Sequence, residues 1–150
     1  MTILPGWHPI VVHFPLALVI TAAGFLLAAK FARSDDVVRT LAIVGTWNLC
    51  IGTAAALLAL ATGLAAVLDL HVGTAAHHAI TAHLKWAISS TCALLLVSVW
   101  RGAGNAADSR PSWLLIIVML AATAALVVTG YRGGQNVYGF GIGVSAPAAP

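Results

Sequence analysis

The chain has 150 residues, of which 61% are apolar and only 7% are charged. Soluble domains carry about 25% charged residues, so this composition excludes a water-soluble globule, and its high hydrophobicity excludes a disordered chain. Two cysteines within apolar sequence exclude a secreted disulfide scaffold. The net charge of +3 comes from basic residues scattered through apolar sequence, which favours a membrane topology signal over nucleic-acid binding.

Four apolar stretches are long enough to cross a bilayer as helices, which takes about 20 residues each. We predict membrane spans at residues 10–32, 40–68, 79–100 and 113–131. The alternating pattern of a membrane β-barrel is absent. The predicted fold class is therefore all-α: an integral membrane four-helix bundle at residues 1–144, followed by a loose C-terminal tail at residues 145–150.

The distribution of basic residues predicts the orientation of the bundle. Five of them lie in the first and third connections: Lys30, Arg33, Arg39, Arg101 and Arg110. The second connection and the stretch before Ile10 contain none. The positive-inside rule then places connections one and three in the cytoplasm and both termini on the periplasmic side of a bacterial inner membrane.

Six histidines carry most of the chemical information. On the predicted topology they all lie at or near the outer face, whereas random placement would spread them along the chain. They are His8, His13, His71, His77, His78 and His83. Ionisable residues within a span are costly, so this concentration indicates a functional site.

Two histidines occur at matching depths on different spans. His13 lies about one turn inside span one, and His83 lies slightly deeper in span three. Haem iron takes two axial imidazoles, and bundle cores build cofactor sites from facing helices. We predict a b-type haem with His13 and His83 as the iron ligands. No Cys-x-x-Cys-His motif is present, so covalent c-type attachment is excluded.

Alternatives remain for each histidine. His13 alone is equally well explained as a hydrogen-bonded packing residue. His78 is a second candidate ligand, although it and His77 fall in the first turn of span three, where solvated interface residues are more common than ligands. His8 suits a helix start or a contact with a haem propionate, and His71 suits a turn.

Two basic residues near the outer face are candidates for binding haem propionates. Lys85 lies two residues after His83, on a different side of the helix. Arg132 directly follows span four. The alternative for both is a role as interface anchors, and Lys85 also suits a salt bridge to Asp69 or to a partner subunit.

Small residues and one proline shape the first two spans. Span two carries Gly45, Gly52 and Gly63 at helical spacing, which favours close helix packing over the alternative of room for a flat cofactor ring. Pro15 inside span one removes a backbone hydrogen bond to the carbonyl near Val11 and predicts a bend there.

Two motifs resemble a known family. The segment at residues 8–18 reads HPIVVHFPLAL, and the segment at residues 133–144 reads GGQNVYGFGIGV. With four spans between and around them, they resemble a bacterial membrane family known as domain of unknown function 2231. The resemblance implies electron transfer at the outer face, because some relatives are fused to Rieske-type or cytochrome c-type modules.

The same resemblance assigns individual residues. It implies that His8, His13 and His83 match histidines of the family. The chain departs from the family at Phe140, where relatives often carry histidine, and at His77 and His78, where relatives often carry arginine. On that basis His77 and His78 are candidate ligands specific to this lineage, as alternatives to His83.

The predicted function is electron transfer without a catalytic residue of its own. We expect an inner-membrane subunit, surrounded by lipid, that relays electrons between a periplasmic redox protein and quinone or another cytochrome. The sequence offers no nucleophile paired with a base, no paired carboxylates and no phosphate-binding loop. The alternative is a cofactor-free membrane anchor or assembly subunit for a periplasmic or membrane enzyme. A metal or quinone site without haem is the third interpretation.

Overall fold

The computed structural model describes residues 7–68, 73–102 and 107–143, and these form helices and short connections. The helices are α1 (Trp7–Val11), α2 (His13–Phe31), α3 (Asp35–Leu68), α4 (Thr74–Gly102) and α5 (Trp113–Phe140). With α1 and α2 taken as one segment, four helices are long and apolar enough to cross a membrane. The all-α prediction with four spans is confirmed. The predicted tail at residues 145–150 lies outside the described residues.

The short interruption between α1 and α2 is explained by a proline. The helical assignment is interrupted at Val12, three residues before Pro15, although the backbone of Val12 stays in the right-handed helical region at φ −62° and ψ −20°. Pro15 has no N–H, so the carbonyl of Val11 loses the partner that a regular helix would supply. The interruption lies next to the position where the sequence predicted a bend, and the bend itself stays a prediction.

The helix boundaries extend beyond the predicted spans. α3 has 34 residues, and at about 1.5 Å per residue it is longer than a hydrocarbon core of about 30 Å. It must therefore tilt or continue into the headgroup layer. α3 begins at Asp35, earlier than predicted, with Asp35 and Asp36 in its first turn, where negative charge favours a helix N-terminus.

The end of α5 differs most from the prediction. The sequence ended span four at residue 131, yet the helix continues to Phe140. It then closes with Gly141 at φ 64°, whose N–H donates to the carbonyl of Val137, while the N–H of Ile142 donates to that of Asn136. This is a C-cap for which glycine is suited. A helix satisfies its own backbone polar groups, so it can leave the apolar layer without changing conformation.

The helices form a bundle in which each packs on two neighbours. α2 packs most extensively on α3, and α4 on α5; α3 also contacts α4, and α2 contacts α5. Among the described residues, α2 and α4 lie diagonally opposite and do not pack on one another. The centre is apolar, and five of its fully buried side chains are Val19, Leu26, Leu49, Leu94 and Met119.

Glycines on α3 permit the close approach of α2. A Cβ added at Gly45 would lie 2.9 Å from Cγ of Leu26, and one added at Gly52 would lie 3.0 Å from Cγ2 of Val19. Both neighbours are fully buried and have no room to move. The packing interpretation of the small residues is confirmed for these two positions.

One end of the bundle, which we call the basic end, joins the first and third connections. Nη1 of Arg110 donates to the carbonyls of Ala29, Lys30 and Ala32 at 3.3, 2.9 and 2.8 Å, which supplies donors to the last turn of α2. In return Nζ of Lys30 donates to the carbonyl of Pro111 at 3.0 Å. The two connections therefore lie on the same side of the bundle, as the predicted topology requires.

A buried arginine reinforces the basic end. Arg101, only 3% exposed, donates from Nε to Oγ1 of Thr46 at 3.2 Å. Its Nη2 donates to the carbonyls of Ala107 and Ser109 at 3.2 and 2.7 Å. This guanidinium thus ties α4 to α3 and to the connection that precedes α5. The sequence analysis assigned Arg101 only a topological role.

Substitution of the α3 glycines tests the packing. We expect Gly52→Leu to lower the thermal unfolding temperature of the detergent-solubilised protein markedly, because the new side chain would overlap α2. Gly24→Leu is the matched control, because a Cβ at Gly24 has nothing within 4 Å. Equal unfolding temperatures for the two variants would contradict the close α2–α3 contact.

Removal of the buried guanidinium tests the basic end. Arg101→Gln should lower the free energy of unfolding by about 2–3 kcal/mol, because charge-assisted hydrogen bonds at a buried site are lost. Arg39→Gln is the control: Arg39 lies 3.6 Å from Asp108 with both side chains exposed, and such pairs contribute less than about 1 kcal/mol. Reversible unfolding in mixed micelles measures both. A larger effect at Arg39 would contradict this assignment.

Candidate functional site

The opposite end of the bundle, which we call the histidine end, holds a pair of half-buried imidazoles. The first belongs to His8 on α1, which packs on α3. Its Nδ1 lies 3.1 Å from the carbonyl of Ala59 and 3.3 Å from Oγ1 of Thr62. A Cβ at Gly63 would lie 2.9 Å from Cε1 of His8. Glycine at this position therefore provides the space that the ring fills.

The second imidazole, that of His83 on α4, is held in the same manner by α5. Its Nδ1 lies 3.1 Å from the carbonyl of Thr129. A Cβ at Gly133 would lie 3.2 Å from Cε1 of His83. The hydroxyl of Thr129 contacts Ser90 at 3.2 Å, which adds a second polar contact between α4 and α5 at this level.

The two rings meet in an edge-to-face arrangement. Their centroids are 6.4 Å apart and their planes are inclined by 74°. His8 comes from the corner of the bundle occupied by α1 and α2, and His83 comes from the diagonal corner. All four spans therefore contribute to one level of the bundle, two with an imidazole and two with a glycine.

The hydrogen bonds determine which nitrogen of each ring carries a proton. A carbonyl oxygen only accepts, so Nδ1 of His8 and Nδ1 of His83 donate to their carbonyl partners. In a neutral imidazole the lone pair then lies on Nε2. Both rings thus have the tautomer and the fixed orientation found in metal-ligating histidines, whose other nitrogen donates to a carbonyl or carboxylate.

This pair replaces the expected pairing of His13 with His83. The His13 side chain is exposed, and its Nδ1 donates to the carbonyl of Pro9 one turn earlier at 2.6 Å. His8 and His13 are five residues apart, which corresponds to a rotation of about 140° around a helix. They cannot both face the bundle axis, and the structure turns His8 towards it.

The remaining histidines lie away from the pair or outside the described residues. His77 and His78 are exposed, with their ring centroids 6.5 Å apart on the first turn of α4. Their position agrees with the interface interpretation. His71 and Asp69 lie outside the described residues.

The two basic candidates have different environments. Lys85 is exposed on α4. Arg132 is half-buried on α5, with its guanidinium carbon 5.8 Å from the ring centre of Trp86. It lines an open cleft of about 580 Å³ that lies between α4 and the end of α5. Phe140, the point of departure from the family pattern, lines the same cleft.

Sequence reasoning identified His8 and His83 individually but missed the residues that hold them. Thr129 and Ala59 act through backbone carbonyls, which no sequence motif records. The glycines offered a usable signal, because Gly63 and Gly133 occur in membrane helices at the depth of the histidines. From the sequence, Gly133 was noted only as the first residue of the motif at residues 133–144.

A multidentate metal site made by protein side chains alone has no support in the described ranges. Within them, no group of three or more His, Cys, Asp or Glu side chains is placed to hold a metal ion. The two-imidazole arrangement instead suits a group that supplies its own equatorial ligands, as haem does.

Comparison with known proteins agrees with this architecture at the level of the family. A family model described as a predicted membrane protein, DUF2231, matches residues 5–146. The searches of curated proteins and of solved structures each returned no significant match. The match covers the four spans, both sequence motifs, and the His8–His83 pair. The chain therefore belongs to the DUF2231 family of membrane proteins.

Proposed function

We propose that this protein is a membrane electron-transfer subunit that binds one b-type haem between His8 and His83. The observation that carries the proposal is the diagonal imidazole pair, with each Nδ1 donating to a backbone carbonyl and each Nε2 left as the lone-pair donor. His13, the ligand expected from sequence, is exposed and contacts the carbonyl of Pro9 instead.

The separation of the rings fits a shared metal in distance. A bond between a metal and an imidazole nitrogen is about 2.0–2.1 Å long, so two imidazoles that share one ion have centroids roughly 6 Å apart. The observed distance between centroids is 6.4 Å. A shared ion would also lie in the plane of each ring, so binding it would require the rings to turn from their edge-to-face contact until both Nε2 atoms point at the ion. A direct hydrogen bond between the two neutral rings would need an N–H on one ring and a lone pair on the other. Each ring already donates its one N–H, at Nδ1, to a backbone carbonyl, so neither has a proton left to donate to the other.

The packing around the pair sets where a cofactor would have to lie. The space left by Gly63 and Gly133 is taken up by the imidazoles themselves, so a cofactor would lie between the two rings, on the diagonal of the bundle. The diagonal helices α2 and α4 do not pack on one another, so a group between them would not have to separate an existing helix contact. The haem would supply the one-electron chemistry, and the chain would orient its ligands and exclude water.

The topology suggests where electrons would enter and leave. On the positive-inside rule the basic end faces the cytoplasm, which would put the histidine end at the periplasmic face of a bacterial inner membrane. A haem at this end would be close to a periplasmic redox protein and to quinone in the membrane. Few residues lie outside the spans, so a partner subunit would carry any substrate chemistry.

Visible spectroscopy tests the proposal. Protein purified in detergent from haem-replete cells should show a Soret band and sharp α and β bands after reduction with dithionite. We expect His8→Ala and His83→Ala each to lose these bands, because each removes one of the two imidazoles that would hold the haem. His13→Ala and His78→Ala are the matched controls and should retain them.

Imidazole rescue and size-exclusion profiles separate the loss of a haem ligand from misfolding. Added imidazole should restore the bands in His83→Gly, and size-exclusion profiles should show that every variant is folded. A folded wild-type protein that is colourless and takes up no added haem would overturn the proposal and favour the cofactor-free anchor. Loss of the bands in His13→Ala, with retention in His8→Ala, would restore the pairing expected from sequence. Elemental and lipid-extract assays would identify bound copper, zinc or quinone instead.

A further inference from the structure

A second site lies on the outer surface of the histidine end, in the cleft between α4 and α5. Its volume is about 580 Å³, within the range of small-molecule pockets. Its walls combine apolar surface with one cation and two amides. The lining residues are Ala79, Arg132, Gln135, Asn136, Tyr138, Gly139 and Phe140.

The cation in this cleft lacks a counter-charge within the part of the chain that the structure describes. Nε of Arg132 is buried and has no hydrogen-bond partner there. The guanidinium instead lies over the ring of Trp86. A buried N–H without a partner is costly, the rest of this half-buried side chain reaches the open cleft, and arginines in membrane helices usually pair with another group. The arrangement therefore indicates an anionic ligand.

The cleft is separate from the imidazole pair. Arg132 and Gly133 are adjacent, so their side-chain directions differ by about 100° around α5. Gly133 faces His83, and Arg132 consequently faces the groove on the outside of the bundle. An anion bound there would lie beside the lipid and not on the bundle axis.

The depth of Arg132 corresponds to a layer of lipid headgroups. Trp113 begins α5 at the basic end, and the rise from Trp113 to Arg132 is roughly 28 Å at 1.5 Å per residue. A hydrocarbon core is about 30 Å thick. Exposed aromatic rings surround the cleft, with Tyr138 93% exposed, Phe140 48% and Trp86 37%. Aromatic rings concentrate at this interface.

We propose that the cleft binds the phosphate group of an anionic phospholipid, with Arg132 as the cation and the amides of Gln135 and Asn136 as further polar partners. One guanidinium matches the single negative charge of a phosphatidylglycerol. The acyl chains would lie on the apolar surface of α4 and α5 below the cleft. The lipid would thereby join the two helices that also hold His83.

Thermal unfolding in detergent with added short-chain lipid tests this site. Phosphatidylglycerol at about 100 times its dissociation constant should raise the wild-type unfolding temperature by about 5 °C. Phosphatidylcholine of the same chain length should raise it much less. Arg132→Gln should lose most of the response to phosphatidylglycerol, whereas Arg39→Gln, at the opposite end of the bundle, should keep it.

A second pair of variants addresses the case in which Arg132→Gln does not fold. Gly139 lines the cleft and has nothing within 4 Å of an added Cβ, so Gly139→Leu should fill the cleft and weaken the response. Gly134 is equally unhindered but does not line the cleft, so Gly134→Leu should respond as wild type does.

Three outcomes would overturn the proposal. An equal response to inorganic phosphate would identify a soluble anion as the ligand. Equal responses of Gly139→Leu and Gly134→Leu would show that lipid binds elsewhere. Loss of haem bands in Arg132→Gln, with an unchanged lipid response, would assign Arg132 to a haem propionate. The unfolding measurements do not require bound haem, so the lipid site and the haem site can fail independently.

Discussion

The absence of water inside a bilayer is the constraint on which this structure depends. Every backbone N–H and C=O in the apolar layer must find a partner within the protein, and an α-helix provides these partners without leaving its own segment. Helices then associate through close packing and hydrogen bonds, because the lipid around them is as apolar as their side chains. Gly45 and Gly52 allow that packing between α2 and α3.

The same constraint explains how the polar side chains are used. Thr53 and Ser98 contact each other at 2.8 Å between α3 and α4, and Ser90 and Thr129 do so at 3.2 Å between α4 and α5. At the basic end, Arg101 donates hydrogen bonds to two carbonyls of the connection before α5. Polar groups inside the bundle thus join neighbouring helices and do not face lipid.

The histidine end departs from this pattern in a way that suggests function. Two imidazoles reach across the diagonal of the bundle, where helices have no contact of their own, and each is oriented by a carbonyl on a neighbouring helix. Packing alone would be satisfied by apolar side chains. Each ring instead uses Nδ1 on a carbonyl, which leaves Nε2 as the nitrogen with the lone pair.

Composition and patterning determined the four spans, their helical character and the shared side of connections one and three, because hydrophobic length and basic-residue position act locally along the chain. Helix capping is local in the same way. Ser112 follows Pro111 and caps α5, because its side-chain oxygen accepts a hydrogen bond from the N–H of Leu115 at 3.1 Å. The concentration of histidines at one end was likewise evident from their positions alone.

Only the tertiary structure decided which of His8 and His13 packs into the bundle. Both lie near the start of the first span, and sequence depth alone favoured His13. The choice depends on the rotation of α1 against α3, which is set by the space at Gly63 and by the carbonyl of Ala59, some fifty residues away. Rotation about a helix axis is a property of packing between helices, and no local pattern within one of them specifies it.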